Sequence, residues 1–226
     1  MPCIEPRFDT LRAGDDSGSV THRNTSPVAG VLFRLTPVLN LYANFGKGFE
    51  TPTFNELFYK PDGTTGLNLS LKPSRSRNFE AGIKAFAGAR TRVNLALFRI
   101  ETTNEIVVAG STGGRTTFKN AGKTERQGVE LAVDSALGGG FDAYLSAAYL
   151  DASFEETFTT CVGVPCSAVT VPAGNKLPGV PRRTLYGEVA WKHAPSGFST
   201  ALEARYHDKV HVHDLNTDAP AGGYSV

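Results

Sequence analysis

The sequence predicts an all-β protein, an antiparallel up-and-down transmembrane β-barrel segment with about eight or nine strands over residues 28–226. Three observations predict it. Apolar residues recur at every second position in runs of roughly ten residues, the length of a tilted membrane crossing. Short turns and long polar excursions alternate along the chain. No window approaches the ~20 consecutive apolar residues that a membrane helix requires, whereas a barrel strand needs only alternate residues to be apolar.

The runs justify this in order. In LNLYANFG, Leu39, Leu41, Ala43 and Phe45 share one face, and Asn40, Tyr42 and Asn44 share the other. FEAGIKAFA sets Phe79, Ala81, Ile83 and Ala85 against Glu80, Gly82 and Lys84. FDAYLSAAYL opposes Phe141, Ala143, Leu145, Ala147 and Tyr149 to Asp142, Tyr144 and Ser146. In TLYGEVAWKH, Leu185, Val189 and Trp191 oppose Tyr186, Glu188 and Lys192. Helical spacing fits these windows poorly, and glycine interrupts most of them.

The connections sort into two kinds. Tight turns are expected at 36–38, 88–90, 138–140 and 194–197, and long polar excursions at about 50–75, 110–115, 157–181 and 214–222. In an up-and-down sheet every short turn then falls on one rim and every long loop on the other, the asymmetry of outer-membrane barrels. The apolar faces look outward at lipid and the Asn, Glu, Lys and Tyr faces line the lumen. Trp191 and several Tyr and Phe residues sit near strand ends, where aromatic girdles belong.

A net charge of +1, with Lys and Arg spread along the chain, points away from nucleic acid. Of the three cysteines, Cys161 and Cys166 bracket CVGVPC in a polar stretch. A disulfide across this loop is sterically feasible and fits an oxidising compartment; two free thiols in a loop are the alternative. Cys3 has no obvious partner. Residues 1–27 read as a partial first strand, with an extra strand possible in IEPRFDTL, and a loop. MPCIEPRFDTLRAG has neither a basic n-region nor an apolar h-region, so it is not a signal peptide; an exported chain of this kind has lost its leader or is an internal piece.

Five segments resemble the barrel of TonB-dependent outer-membrane receptors, siderophore receptors above all. They are NLYANFGKGFETPTFNELF (40–58), GLNLSLKPSRSRNFEAGIK (66–84), LALFRIETTNEIVV (95–108), FKNAGKTERQGVELAV (118–133) and GNKLPGVPRRTLYGEVAW (174–191), in family order. The resemblance implies part of a 22-stranded barrel in the bacterial outer membrane. It implies uptake of a ferric siderophore or other metal chelate, with heme and cobalamin as further candidates. Energy arrives from the TonB complex through a plug domain. Outer-membrane lipid and lipopolysaccharide are implied surroundings, and no cofactor is implied. The plug, the TonB box and the first strands of the family pattern are not in this sequence, and it stops at GGYSV, where another strand is expected to start. A gene fragment or truncated chain is therefore expected, with a small closed barrel as the alternative. A passive porin-like channel and a non-functional truncated barrel fragment are the rival functional readings. The Asn120-Ala121-Gly122 run permits a bend where a long strand re-enters the wall, and Leu177–Pro181 stiffens the approach to the next strand.

Candidate sites are few. YHDKVHVHD places His207, His211 and His213 on one side of an extended strand, a pattern that suits a metal or metal chelate as well as a plain solvated strand end. Arg182 and Arg183, with Lys176, Lys60 and Lys72, are expected near the long-loop rim, where they and aromatics such as Tyr59 suit an anionic ferric siderophore. Lipopolysaccharide phosphates and ordinary surface charge are the alternatives. No Gly-x-Ser-x-Gly elbow, phosphate loop or His-Glu-x-x-His helix is present, so no enzyme is expected.

Overall fold

A computed structural model of the chain describes residues 7–8, 17–112, 114–163 and 167–226. In chain order the strands are β1 (Arg7–Phe8), β2 (Gly18–Ser19), β3 (Val28–Thr36), β4 (Leu39–Glu50), β5 (Ser74–Ala87), β6 (Thr91–Thr103), β7 (Ile106–Thr112) and β8 (Arg115–Asn120). They continue as β9 (Lys123–Gly138), β10 (Phe141–Phe154), β11 (Phe158–Val162), β12 (Ser167–Val171), β13 (Arg183–His193), β14 (Phe198–His207) and β15 (Tyr224–Ser225). One short helix, α1 (Phe54–Leu57), lies between β4 and β5.

Nine strands form one sheet in the order β15-β14-β13-β10-β9-β6-β5-β4-β3. Every pairing within it is antiparallel. The sheet is open, with β3 and β15 at its two ends. The pairs β7–β8 and β11–β12 are separate two-stranded sheets set into the long connections, and β1–β2 is a third. Of the expected extra strand in IEPRFDTL, Arg7–Phe8 pairs with Gly18–Ser19, and the remainder lies outside the described residues. The run LALFRIETTNEIVV is divided between two strands, β6 and β7. The wall strand ends at Thr103, and Asn104 takes a left-handed φ of 55°, a conformation Asn tolerates better than most residues, which redirects the chain into the β7–β8 hairpin.

Register makes the two faces explicit. Phe33, Leu41, Ile83, Leu95, Leu131, Ala147, Leu185 and Tyr206 succeed one another as direct cross-strand partners through all eight long wall strands. The row one residue away reads Arg34, Asn40, Lys84, Asn94, Ala132, Ser146, Tyr186 and Arg205. Because side chains alternate along a strand, the first row lies on one surface and the second on the other. The apolar surface is uncovered: Val31, Leu97 and Leu202 are 64%, 58% and 77% exposed. The chain exposes 14277 Å² in all, against about 10,000 Å² for a water-soluble monomer of this mass. An uncovered apolar wall of this size calls for lipid as its solvent.

Aromatic rings bound the apolar band. Trp191 lies 6.1 Å from Phe141 and 6.2 Å from Phe198 at the short-turn rim, and Phe45 and Phe79 are 4.9 Å apart toward the other. From Phe141 to Tyr149, one face of β10 spans about 27 Å along the strand, or roughly 20 Å along the membrane normal at barrel tilt, close to the height of a lipid-facing band.

The short turns need glycine at one place above all. Gly138, Gly139 and Gly140 all have positive φ (90°, 61° and 84°) between β9 and β10. Within the wall, glycine instead admits a ring: a Cβ at Gly82 would lie 2.6 Å from the Tyr42 ring and also against the Leu95 carbonyl. The buried apolar cluster sits at the long-loop end. Ala121, Ala152, Phe154, Val171 and Leu177 form it, and Ala152 and Phe154 share the lumen-side alternation of Ser146. The long connections therefore fold inward over the lumen face.

Two outcomes are expected. Gly82→Val destabilises the folded wall by about 1–3 kcal/mol through overpacking, whereas Gly187→Val, where a Cβ meets nothing within 4 Å, is close to neutral; urea titration of heat-modifiable gel mobility measures both. Ile83→Arg, on the apolar face, costs about 2–4 kcal/mol in a bilayer, while Asn94→Arg on the opposite face stays within about 0.5 kcal/mol. Equal effects from the two arginines would contradict the assignment of faces.

Candidate functional site

The loop between β4 and β5 starts with a local stop signal. The Thr53 N–H donates to Glu56 Oε2 at 2.6 Å, closing the first turn of α1, and Leu57 on that turn is buried at 1% exposure. The Phe54 and Phe58 rings lie 4.2 Å apart, and Tyr59 follows on the same ring run, 6.0 Å from Phe58. The loop is then pinned to the next connection. Asn68 Nδ2 donates to the Phe118 carbonyl at 3.1 Å. The Asn120 side chain accepts from Lys72 N (2.9 Å) and donates to the carbonyls of Lys72 (2.8 Å) and Asn104 (2.9 Å).

Asn120 thus does more than permit a bend. Its side chain acts as a latch between two loops, with Ala121 buried at 1% in the loop core and Gly122 at φ 80° turning the chain back into β9. Beneath the latch, Glu105 accepts from Arg126 at 2.9 Å and from the Thr124 hydroxyl at 2.9 Å. Sequence spacing marked the Asn-Ala-Gly run but gave no hint of its long-range partner.

These pinned loops enclose a cleft of about 480 Å³ whose lining includes Tyr59, Lys60, Arg115, Thr117, Lys119 and Cys161. The Arg115 guanidinium lies 5.2 Å over the Tyr59 ring, and the Lys119 ammonium 5.2 Å over the Phe158 ring. Burial pushes the Lys119 ammonium below its ordinary range, with Asp214 opposing. Asp62, in the same loop as Tyr59, stays ionised readily because the Thr64 backbone and hydroxyl donate to it. Three cations, Lys60, Arg115 and Lys119, and the Tyr59 ring give this cleft the chemistry of an anion receptor. Tyr59 and Lys60 were legible as candidates. Arg115 and Lys119 were missed, since the excursion at 110–115 gives no sign that its hairpin brings them beside Tyr59. Cys161 is disulfide-bonded, and Cys166, its expected partner, lies outside the described residues.

Arg182 and Arg183 do not join Tyr59. They line a separate pocket of about 290 Å³ with Asp151, Lys176, Asp208, Lys209 and His211. Asp151 takes Lys176 at 2.7 Å and Arg182 at 3.0 Å, and Arg183 pairs with Asp208 at 3.0 Å, which holds the Asp208 carboxyl below its usual range. Arg183 is the cross-strand partner of Tyr149 and alternates with Leu185, so it stands on the apolar, outward face. Lys72, expected at the long-loop rim, is held by Asn120 through its backbone.

The histidines are not on one extended strand. β14 ends at His207, whose ring stacks on Tyr224 at 4.9 Å. His213 Nε2 lies 2.8 Å from Asp218, and its Nδ1 accepts from Leu215 N at 3.1 Å, so both ring nitrogens are committed. His211 Nδ1 is buried without a partner in the Arg182–Arg183 pocket. The strand is interrupted because the chain bends back, through a single Val210–Ala221 bridge, toward β15. Among the described residues no group of three or more His, Cys, Asp or Glu side chains is placed to hold a metal ion.

Comparison with known proteins agrees with this architecture. The family model for the TonB dependent receptor-like β-barrel matches residues 7–226. The metal-pseudopaline receptor CntO of Pseudomonas aeruginosa (strain UCBPP-PA14) is 30% identical over 148 residues, 65% of this chain and 19% of that protein. The probable TonB-dependent siderophore receptor PiuA of Acinetobacter baumannii is 24% identical over 207 residues, 91% of this chain and 26% of that protein. The chain thus spans about a fifth to a quarter of the length of these relatives. Among solved structures, PiuA from Acinetobacter baumannii superposes with a TM-score of 0.68 at 20% identity, over 96% of this chain and 30% of the other. The ferric yersiniabactin uptake receptor FyuA from Yersinia pestis gives 0.67 at 18% identity, over 93% and 30%. With its full wall matched by that family model, the chain belongs to the TonB-dependent receptor β-barrel family.

Proposed function

We propose that the chain forms part of the wall and ligand-capturing loops of a bacterial outer-membrane receptor that takes up a ferric siderophore or related metal chelate. Passage is energised through TonB by way of a plug domain in the intact protein. The observation that carries this reading is the Tyr59–Arg115–Lys119 cleft, built from long loops that fold over the polar face of a sheet whose other face is apolar. Ferric chelates that ligate through carboxylate or catecholate oxygens are commonly anionic and aromatic. A cleft with a guanidinium over a phenol ring and a partly desolvated ammonium offers both charge-assisted hydrogen bonds and stacking. The family is one of receptors and transporters, not of enzymes, and its barrels belong to the outer membrane. A passive channel has no use for a pinned cationic cleft above its lumen. Outer-membrane lipid surrounds the wall in this reading, and lipopolysaccharide meets its outward charges.

The double substitution Arg115→Ala, Lys119→Ala is expected to weaken saturable binding of an anionic ferric chelate by roughly ten- to hundredfold, with membrane insertion unchanged. Unchanged affinity would remove the cleft from the role, and uptake that neither saturates nor depends on TonB would favour a channel. The pH dependence has a definite sign. Because burial lowers the Lys119 pKa from 10.5, its positive charge is lost earlier than that of a free lysine as pH rises. Affinity in the native chain should fall at alkaline pH below that ordinary value, and Lys119→Arg, which does not titrate there, should abolish the drop. Chelate titrations at stepped pH, each normalised to the arginine variant, separate this effect from titration of the chelate itself.

A further inference from the structure

Lys119 stands in the cleft with a charge that the fold meets only at a distance. Its ammonium lies 5.2 Å over the Phe158 ring, and Phe158 packs against the buried cluster around Phe154. Leu215, in the loop that follows β14, packs against the same cluster and so brings its neighbour Asp214 toward Lys119. Both charged residues are partly buried. The Asp214 backbone is fixed, since its carbonyl accepts from Asn175 Nδ2 at 2.9 Å and Asn216 latches the same loop to Lys176. Its carboxylate is not. Among the described residues no hydrogen-bond donor reaches it and no cation lies within 4.0 Å, and Lys119 has no carboxylate within that distance. The remaining charges around Asp214 are engaged elsewhere: His213 Nε2 lies 2.8 Å from Asp218, and Lys176 pairs with Asp151 at 2.7 Å. Burial lowers the Lys119 pKa and Asp214 works against that; burial raises the Asp214 pKa, and His213 and Lys119 work against it in turn. Opposite charges that are each partly out of water, and that lack a contact partner, form an incomplete pair open to a third group.

We propose that Asp214 is the resident counter-ion of the cleft, a specificity-determining residue that steadies the Lys119 charge while the cleft is empty and selects for polyanionic chelates. The role rests on reading that cleft as the ligand site. Lys119 is a point charge on a flexible four-carbon stem with three donors, so it is free to leave the Phe158 ring for ligand oxygens. An anion drawn to Lys119 also enters the field of the Asp214 carboxylate. For a single negative charge the attraction and the repulsion nearly cancel. A chelate with several anionic carboxylate or catecholate oxygens engages Arg115 and Lys60 as well and prevails, whereas a neutral hydroxamate chelate gains nothing from the cations. The bound polyanion in turn disfavours the ionised form of Asp214, so binding takes up a proton. Affinity therefore rises as the pH falls from neutrality into the range of this carboxylate, which burial sets above its ordinary 3.8.

The test uses the full chain in phosphatidylcholine nanodiscs, with ferric citrate as the polyanionic probe and ferrichrome, a neutral ferric trihydroxamate, for comparison. At about pH 7, Asp214→Asn is expected to tighten ferric citrate roughly three- to thirtyfold and to leave ferrichrome unchanged. As the pH is lowered to about 5, the native affinity should converge on that of the variant, a ratio from which titration of the probe itself cancels. Equal affinities at neutral pH, or a ratio that does not move with pH, overturn the role of Asp214. Ferric citrate that binds Lys119→Gln as it binds the native chain, or binds neither, counts against the cleft as the ligand site. Asp214 is then judged without a ligand, by trace acylation of the Lys119 amine at about pH 9. Asp214→Asn is expected to speed that reaction about two- to tenfold, because a larger share of the amine is neutral, and an unchanged rate overturns the counter-ion.

Discussion

A backbone that crosses hydrocarbon must satisfy its N–H and C=O groups inside the protein, because lipid offers no partner. In this chain the answer is an uninterrupted antiparallel ladder from β3 to β14, and register follows from it. Once β4 is set against β5 with Leu41 opposite Ile83, the side chains of every later strand are assigned to a face. A slip of one residue would send Lys84 and Arg205 into lipid and Ile83 and Leu185 into the lumen. Since such a slip places charges in hydrocarbon, the apolar row both results from the register and enforces it. The same requirement explains why irregular backbone is confined to the rims, with one bulge at Arg34–Thr36 and another at Phe141–Asp142, each beside a short turn.

The long loops obey a different rule, since water can satisfy them and they must be ordered by other means. Two asparagines supply the order through one device. Asn120 holds the backbone N–H and carbonyl of Lys72, and Asn216 holds those of Lys176 at 2.6 and 2.9 Å. A carboxamide sets an acceptor oxygen beside an N–H donor at the spacing of a peptide group, so it imitates a single rung of β-ladder without committing the chain to a strand, and its second N–H ties each asparagine to one further carbonyl, that of Asn104 or His213. In both cases the latched residue lies in a loop at least forty positions away in space-filling order along the chain, with separations of 48 and 40 residues. The latches and the cluster around Phe154 together give the loops a fixed inner surface, which is the precondition for a shaped cleft.

This division decides what the sequence disclosed. The wall was legible because its information is local: period two, glycine turns, and alternating short and long connections are all read from neighbours. Turns at 88–90 and 194–197 and the lipid row through Ile83 and Leu185 follow directly. The loop architecture was not legible, because Asn68 meets Phe118 and Asn120 meets Lys72 only after the wall is assembled. The β7–β8 hairpin was read only as the polar excursion at 110–115, because Ile106–Thr112 (IVVAGST) carries no period-two signal and its partner strand Arg115–Asn120 is fixed by pairing. Arg115 and Lys119 were lost with it. The histidine series failed for the converse reason: alternation suggested a strand through His213, but the ladder to β13 closes with the Asp208 N–H on the Arg183 carbonyl at 2.9 Å, and beyond it only the isolated Val210–Ala221 bridge follows.

Parity also separates the charges in a way that composition cannot. Arg183 and Arg205 both lie on the strands at one end of the wall, yet Arg183 alternates with Leu185 and points out, whereas Arg205 pairs with Tyr186 and points in. The outward arginine is neutralised by Asp208 at 3.0 Å; the inward one lies 5.2 Å over the Tyr186 ring. Two residues of the same chemistry therefore face different solvents by virtue of an odd or even position in the ladder. Any role assigned to a basic residue in such a wall must first pass this test of face. Arg183 fails it as a lumen group, since it alternates with Leu185 on the outward face; Arg182 precedes β13 and is held instead by Asp151 at 3.0 Å. Arg115 lies outside the test altogether, on a hairpin that leaves the wall, and that freedom from the ladder is what allows its guanidinium to be set over Tyr59.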